Sequence, residues 1–127
     1  MKHKSIRTLS LVAAALCLAA GGGQAQQAAE RYIPIGKSPG VSNVYTWLGE
    51  VVTTNTEDRT VTVRNPQGTR TIKITDTTDI WIDRSQFQQP NTTGTFADLV
   101  TGRTIEVKYL DDQTRDTARW IKVAMPG

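Results

Sequence analysis

Clustered acidic side chains could carry chemistry in this sequence. Carboxylates in turns can hold calcium, and a pair of carboxylates can hydrolyse a glycosidic bond. Neither cluster has the spacing or the fixed glycine of a calcium loop, and a small domain offers little room for a substrate cleft. We interpret both as solvated turns, and a carboxylate hydrolase using Asp79 and Asp83 is a minor alternative. The clusters are Asp76, Asp79, Asp83 and Asp111, Asp112, Asp116.

Nucleophilic and metal chemistry have few candidates. The sole histidine, His3, and the sole cysteine, Cys17, lie in the first 25 residues, which we expect to be removed. The remaining chain then cannot form a Ser-His-Asp or Cys-His site, and it lacks the usual zinc and copper ligands. The sequence therefore predicts a protein that is not an enzyme, with no catalytic residue, no metal and no cofactor.

Two tryptophans are better candidates, for binding. Strand alternation sends Trp81 to the face opposite the isoleucines on either side, and Trp120 falls between inward positions. Arg84 and Arg119 lie close by, and exposed aromatics with arginines can stack sugars or anchor a protein. We predict these four residues as the binding site, so that Trp81→Ala or Trp120→Ala weakens partner capture without unfolding. The alternative is that the N-terminal arm covers both rings.

The N-terminus has the features of a secretory signal peptide. Three basic residues precede an apolar run over residues 9–20, which is too short to span a bilayer comfortably. Small residues follow at Gly23 and Ala25. We predict cleavage after Ala25, export to the periplasm or beyond, and no membrane span afterwards.

Signal cleavage changes the charge of the chain. The 127 residues include 15 Lys plus Arg and 12 Asp plus Glu. Lys2, Lys4 and Arg7 leave with the signal, so twelve basic residues balance twelve acidic ones. A neutral exported chain lacks the positive field that nucleic acid requires, and we expect no nucleic-acid partner.

The remaining chain divides into an arm and one domain. Residues 26–43 are rich in proline and glycine without a sustained period, which predicts a flexible arm. From residue 44 the pattern alternates as strands do, and residues 44–125 suffice for one hydrophobic core. The arm could also pair with the sheet edge of a neighbour, which would make the protein a structural or assembly subunit.

Within the domain, the turns and bulges are visible in the sequence. A Pro-Gly turn over residues 65–68 predicts a hairpin between two alternating segments. Gly49 predicts a bend or bulge in the first strand, and the phase change between Ala118 and Ile121 predicts one in the last. The predicted strands are residues 44–54, 60–64, 69–75, 79–83, 103–110 and 117–124.

Residues 95–107 organise the predicted fold. Thr95 can cap a helical turn through its hydroxyl, Phe96 and Leu99 share one face of it, and Gly102 can end it in the left-handed conformation. Five or six short antiparallel strands with one such turn close best as a small OB-like barrel, because closure removes open edges. An open β-sandwich is the alternative.

These motifs resemble a family of exported bacterial domains of unestablished function with a predicted OB-like barrel. The resemblance covers residues 44–123 and implies no catalytic motif. The tryptophans are not part of the family pattern. The matching residues are Gly49-Glu50-Val51, Thr78-Asp79-Ile80, Asp98-Leu99, Gly102, Ile105, Val107, Ala118, Ile121 and Val123.

Taken together, these observations predict a non-catalytic periplasmic binding or protein-interaction module. Its partner would be another envelope protein or a saccharide, because the candidate surface is aromatic and the chain is exported.

Overall fold

A computed structural model of the chain describes residues 29–126, so the predicted signal peptide and its cleavage site lie outside the described residues. The chain divides after Arg31 into two units, and every strand belongs to the unit that begins at Tyr32. Two 3-10 turns, Ser85–Phe87 and Phe96–Asp98, accompany seven strands. These are β1 (Thr46–Asn55), β2 (Thr60–Asn65), β3 (Gly68–Lys73), β4 (Asp79–Asp83), β5 (Thr92–Thr93), β6 (Thr104–Tyr109) and β7 (Ala118–Ala124).

The seven strands form one mixed sheet in the order β3-β2-β1-β6-β7-β4-β5. All neighbours are antiparallel except β4 and β7, which run parallel. The all-β prediction is therefore confirmed. The alternative of a two-sheet sandwich is wrong, because the strands hydrogen-bond into a single sheet.

The prediction of a closed barrel with five or six strands is also wrong. A turn follows β3, in which the N–H of Thr75 donates to Oγ1 of Thr78 at 3.0 Å, and this turn separates β3 from β4. Within residues 29–126, the ladder between β3 and the chain leading into β7 consists of one isolated parallel bridge, between Lys73 and Thr117. The sheet thus stays open along β3. The additional strand, β5, lies in the segment that was predicted to be a loop.

Alternation explains the inner face of the sheet. Val61, Val63 and Ile72 are completely buried on adjacent strands, and the predicted hairpin is present, with Asn65 paired to Gly68. Leu99 is buried as well, and Phe96 packs against the same core. The inner core consists of Trp47, Val51, Val61, Val63, Ile72, Ile74, Ile80, Leu99, Ile105, Val107, Tyr109, Ala118, Ile121 and Val123.

The bulge in β7 was predicted correctly, and the bulge in β1 was misplaced. In the pairing of β6 with β7, Lys108 lies opposite Trp120 and Tyr109 lies opposite Ala118, so Arg119 has no partner on β6. This bulge places Ala118 on the inner face. In β1 the irregularity falls at Val52. Gly49 instead permits close approach of two strands, because a Cβ there would collide with the carbonyl oxygen of β2 opposite it.

The turn at Phe96–Asp98 begins after Thr95 as predicted and has a capping box between Thr95 and Asp98, but it ends at Leu99, three residues before Gly102. The carboxylate of Asp98 accepts a hydrogen bond from the backbone N–H of Thr95 at 2.7 Å, and Gly102 adopts a φ of 90°. The carboxylate at the third position of the turn thus reaches back to the N-cap residue that precedes the turn. No helix in the described part of the chain is long and apolar enough to cross a membrane.

Gly49→Ala tests the close approach of β1 and β2. We expect a loss of about 1–3 kcal/mol in the free energy of unfolding, because the added methyl forces two backbones apart. Urea denaturation measures the loss. Thr53→Ala, at an exposed position of the same strand, is the matched control and should change stability by less than about 0.5 kcal/mol. Equal effects of the two substitutions would contradict the steric explanation.

Candidate functional site

Trp81 and Trp120 lie side by side on the outer face of the sheet, opposite the inner core. Their ring centroids are 5.7 Å apart, and the planes are inclined by 33°. The predicted phase of both strands is therefore confirmed. The two side chains are only 6% and 4% exposed. A saccharide cannot stack on rings that the protein itself covers, so this arrangement does not supply the predicted aromatic platform.

Two carboxylates bind the N-terminal segment, residues 33–45, to this outer face. The amide of Ile35 donates to Oδ2 of Asp83 at 2.9 Å, and the amide of Gly36 donates to Oε1 of Glu106 at the same distance. The hydroxyl of Thr46, the first residue of β1, donates to Oε2 of Glu106, also at 2.9 Å. The segment predicted to be an arm is therefore hydrogen-bonded to the sheet from residue 35 onward.

A fully buried lysine lies on the same face. Lys122 of β7 is directly across from Glu106 of β6, and both are 0% exposed. Its Nζ donates to Oγ of Ser38 at 3.3 Å and lies 4.5 Å from the ring centroid of Trp120. A buried charge is costly unless it is partnered. Here the partners of Lys122 are the negative charge of Asp83, the hydroxyl of Ser38 and the ring of Trp120.

Asp83 remains ionised in this setting. Burial by itself raises the pKa of its carboxyl, but the hydrogen bonds from Ile35 and Ser85 and the charge of Lys122 outweigh it and hold the pKa below the ordinary value. The amide of Ser85 donates to Oδ1 at 2.9 Å. Both carboxylate oxygens therefore accept backbone hydrogen bonds, which is a structural role.

The carboxylate pair of the hydrolase alternative is not brought together. Asp79 is exposed at the start of β4, whereas Asp83 is buried at its end. Four residues along a strand separate two Cα atoms by about 13 Å, beyond the spacing that a paired-carboxylate glycosidase uses. In the described part of the chain, no three Asp, Glu, His or Cys side chains are grouped as a metal site would require.

The two predicted arginines lie at opposite ends of the parallel pair β4 and β7. Arg119 is exposed beside the start of β7. Arg84 follows the end of β4, contacts Gln89 through its guanidinium, and lines a surface cavity of about 410 Å³ together with Arg103. Of the four predicted residues, the structure thus brings only the tryptophans together.

The buried charges were missed at the sequence level. Glu106 and Lys122 occupy the outward phase of alternating strands, which normally means solvent. The sequence carries one relevant signal: a long lysine and a glutamate flanked by completely apolar neighbours. That signal does not distinguish a solvated face from a covered one.

Comparisons with family models, with curated proteins and with solved structures give no match. The resemblance to exported OB-like domains is therefore still a prediction.

Replacing a tryptophan tests whether the outer face is structural. We expect Trp120→Ala to lower the free energy of unfolding by about 3–5 kcal/mol, because it empties a buried site. This revises the expectation of intact folding that an exposed ring would justify. Arg119→Ala, its exposed neighbour, is the control. Chemical denaturation of both variants decides, and an unchanged midpoint for Trp120→Ala would show that the ring is not buried in solution.

Asp83→Asn tests the carboxylate that binds the N-terminal segment. Because the pKa of Asp83 is lower in the folded state than in the unfolded chain, its charged carboxylate stabilises the fold at pH values above the unfolded pKa. This stabilisation is lost as the pH falls through the folded pKa. We expect the free energy of unfolding of Asp83→Asn to be about 1.5–3 kcal/mol lower than that of the unchanged protein at neutral pH. This difference should become smaller below about pH 4. Unfolding measured across pH gives the profile, with Asp79→Asn as control. A deficit independent of pH would contradict a charged Asp83.

Proposed function

We propose that this chain is a non-catalytic interaction module of the bacterial envelope, and that it binds an extended segment of a partner protein along the open edge of β3. The observation that carries the proposal is this unpaired edge. Addition of a strand to a sheet edge is a general mode of peptide recognition, in which backbone hydrogen bonds supply much of the affinity.

The register of β3 identifies the available groups. The two-residue hairpin places Asn65 and Gly68 in a hydrogen-bonded pair, and such pairs then alternate along the ladder. Every second residue of β3 therefore bonds to β2. The residues between them, Thr69 and Thr71, direct their N–H and C=O groups away from β2. Lys73 has the same phase, and its N–H donates to the carbonyl of Asp116 at 2.8 Å. The free part of the edge therefore ends where the chain before β7 approaches.

The side chains of β3 favour an acidic partner. The strand contains Arg70 and Lys73 and no acidic residue. Arg70 lies half-buried at the open side of the sheet, with its guanidinium carbon 4.6 Å from the ring centroid of Trp47. An incoming strand with acidic side chains would complement these charges, and complementary charge raises both specificity and association rate.

The outer face is a weaker candidate for recognition than this edge. The N-terminal segment already occupies the tryptophan face through Ile35 and Gly36. The alternative of strand pairing by the arm has little support from residues 33–43, which form turns on their own sheet, as in the hydrogen bond from the amide of Lys37 to the carbonyl of Pro34.

Export and family membership belong to the same proposal. The signal-like N-terminus supports a periplasmic or secreted location. The OB-like relationship is supported by the way β1 joins the β2–β3 hairpin to the β6–β7 hairpin, and by the bridge between Lys73 and Thr117.

A pair of variants at Thr71 tests strand docking. Thr71→Pro removes the outward N–H, and proline is tolerated on an edge strand, whereas Thr71→Ala keeps the N–H and removes only the side chain. We expect peptides selected from a displayed random library to be acidic, to bind Thr71→Ala normally and to bind Thr71→Pro about tenfold more weakly.

Amide hydrogen exchange locates the bound peptide. Strand addition should slow exchange at Thr69 and Thr71 in the complex, because their N–H groups become hydrogen-bonded. A library that yields no binder, or a binder that leaves both amides unprotected and tolerates Thr71→Pro, would overturn the proposal.

A further inference from the structure

The phenol group of Tyr109 requires a physical explanation. The residue is 0% exposed at the end of β6, and its ring belongs to the inner core. Within residues 29–126, no hydrogen-bond partner reaches its Oη. Buried hydroxyls are normally hydrogen-bonded, because an unpaired one loses its interactions with water without replacement. A phenylalanine would fill the same space without that cost.

Two arginines lie over this ring. The guanidinium carbon of Arg70 is 5.9 Å from the ring centroid of Tyr109, and that of Arg115 is 5.2 Å away. Both side chains are half-buried, so they separate the phenol from solvent and remain accessible themselves. Arg70 comes from β3 and Arg115 from the turn between β6 and β7, so the cluster lies where these two parts of the chain meet.

Neither guanidinium is neutralised by a carboxylate in the described part of the chain. Arg115 donates through Nε to the backbone carbonyl of Asp112 at 2.7 Å, which orients the guanidinium group. Burial raises the pKa of the Tyr109 phenol, and the positive charges of Arg70 and Arg115, together with the approach of the Arg115 guanidinium to the phenol oxygen, offset this only in part. The phenol therefore stays protonated and can donate a hydrogen bond at neutral pH.

We propose that Tyr109, Arg70 and Arg115 form a binding site for a small oxyanion, either a carboxylate or a phosphate group. The guanidinium fork matches the geometry of both groups, and charge-assisted hydrogen bonds of this kind are strong. The anion would neutralise the charges of Arg70 and Arg115, whose guanidinium carbons both lie within 6 Å of the ring centroid of Tyr109, and accept the hydrogen bond that Oη can donate. Because both arginines are half-buried, an anion can reach them from solvent. The site does not depend on strand docking at β3.

Calorimetric titration tests the site with small anions alone. Sodium phosphate and sodium acetate are titrated separately at constant ionic strength, with sodium chloride as the reference. We expect saturable binding of phosphate, acetate or both, and no such binding of chloride. A response to phosphate alone assigns the site to phosphate-bearing ligands, and an equal or stronger response to acetate assigns it to carboxylates.

Tyr109→Phe removes the hydroxyl and keeps the packing. It should weaken anion binding about tenfold, and it should not destabilise the protein in chloride. Arg115→Gln should weaken binding at least as much. Arg59→Gln is a matched control, since Arg59 has the same φ of 54° as Arg115 and its guanidinium carbon lies 5.3 Å from the ring centroid of Phe96.

Three results would overturn the proposal. They are anion binding no different from chloride, full affinity in Tyr109→Phe, and an equal loss in Arg59→Gln.

Discussion

The burial of two opposite charges on the outer face of the sheet constrains the rest of the structure. Glu106 and Lys122 face each other across β6 and β7, and neither reaches solvent. Removing an ion from water costs several kcal/mol even after the protein relaxes, so each must find partners within the fold. The N-terminal segment supplies them, through the amide of Gly36 and the hydroxyl of Ser38. The sheet and this segment therefore depend on each other.

This dependence explains why the two faces of the sheet differ in chemistry. The inner face is an apolar core, in which exclusion of water is sufficient. The outer face combines the paired rings of Trp81 and Trp120 with buried charges, and it requires specific hydrogen bonds such as that from Ile35 to Asp83. Because both faces are covered there, the groups left for recognition lie at the periphery of the sheet, at the edge of β3 and around Tyr109.

Much of the fold could be predicted from local pattern. The alternation of Val61 and Val63, the hairpin turn and the bulge near Ala118 are encoded within a few residues of each other, and each was predicted correctly. The open sheet and the extra strand β5 could not be predicted in this way. Closure depends on whether β3 pairs with β7, which is distant in sequence, and only the single bridge between Lys73 and Thr117 forms there among the described residues.

The sequence by itself determined which residues share a face, because a strand alternates its side chains with a period of two. It placed Trp81 and Trp120 opposite the inner core, and it identified Gly102 as a residue with positive φ shortly before β6. Only the tertiary structure decided what lies over that second face. Alternation with a period of two looks the same in the sequence whether the second face is solvated or covered by a distant segment. The covering contacts are far apart in sequence, as in the hydrogen bond between Gly36 and Glu106, which are seventy positions apart. For the same reason, local pattern could not show that Arg70 and Arg115 both lie within 6 Å of the ring centroid of Tyr109.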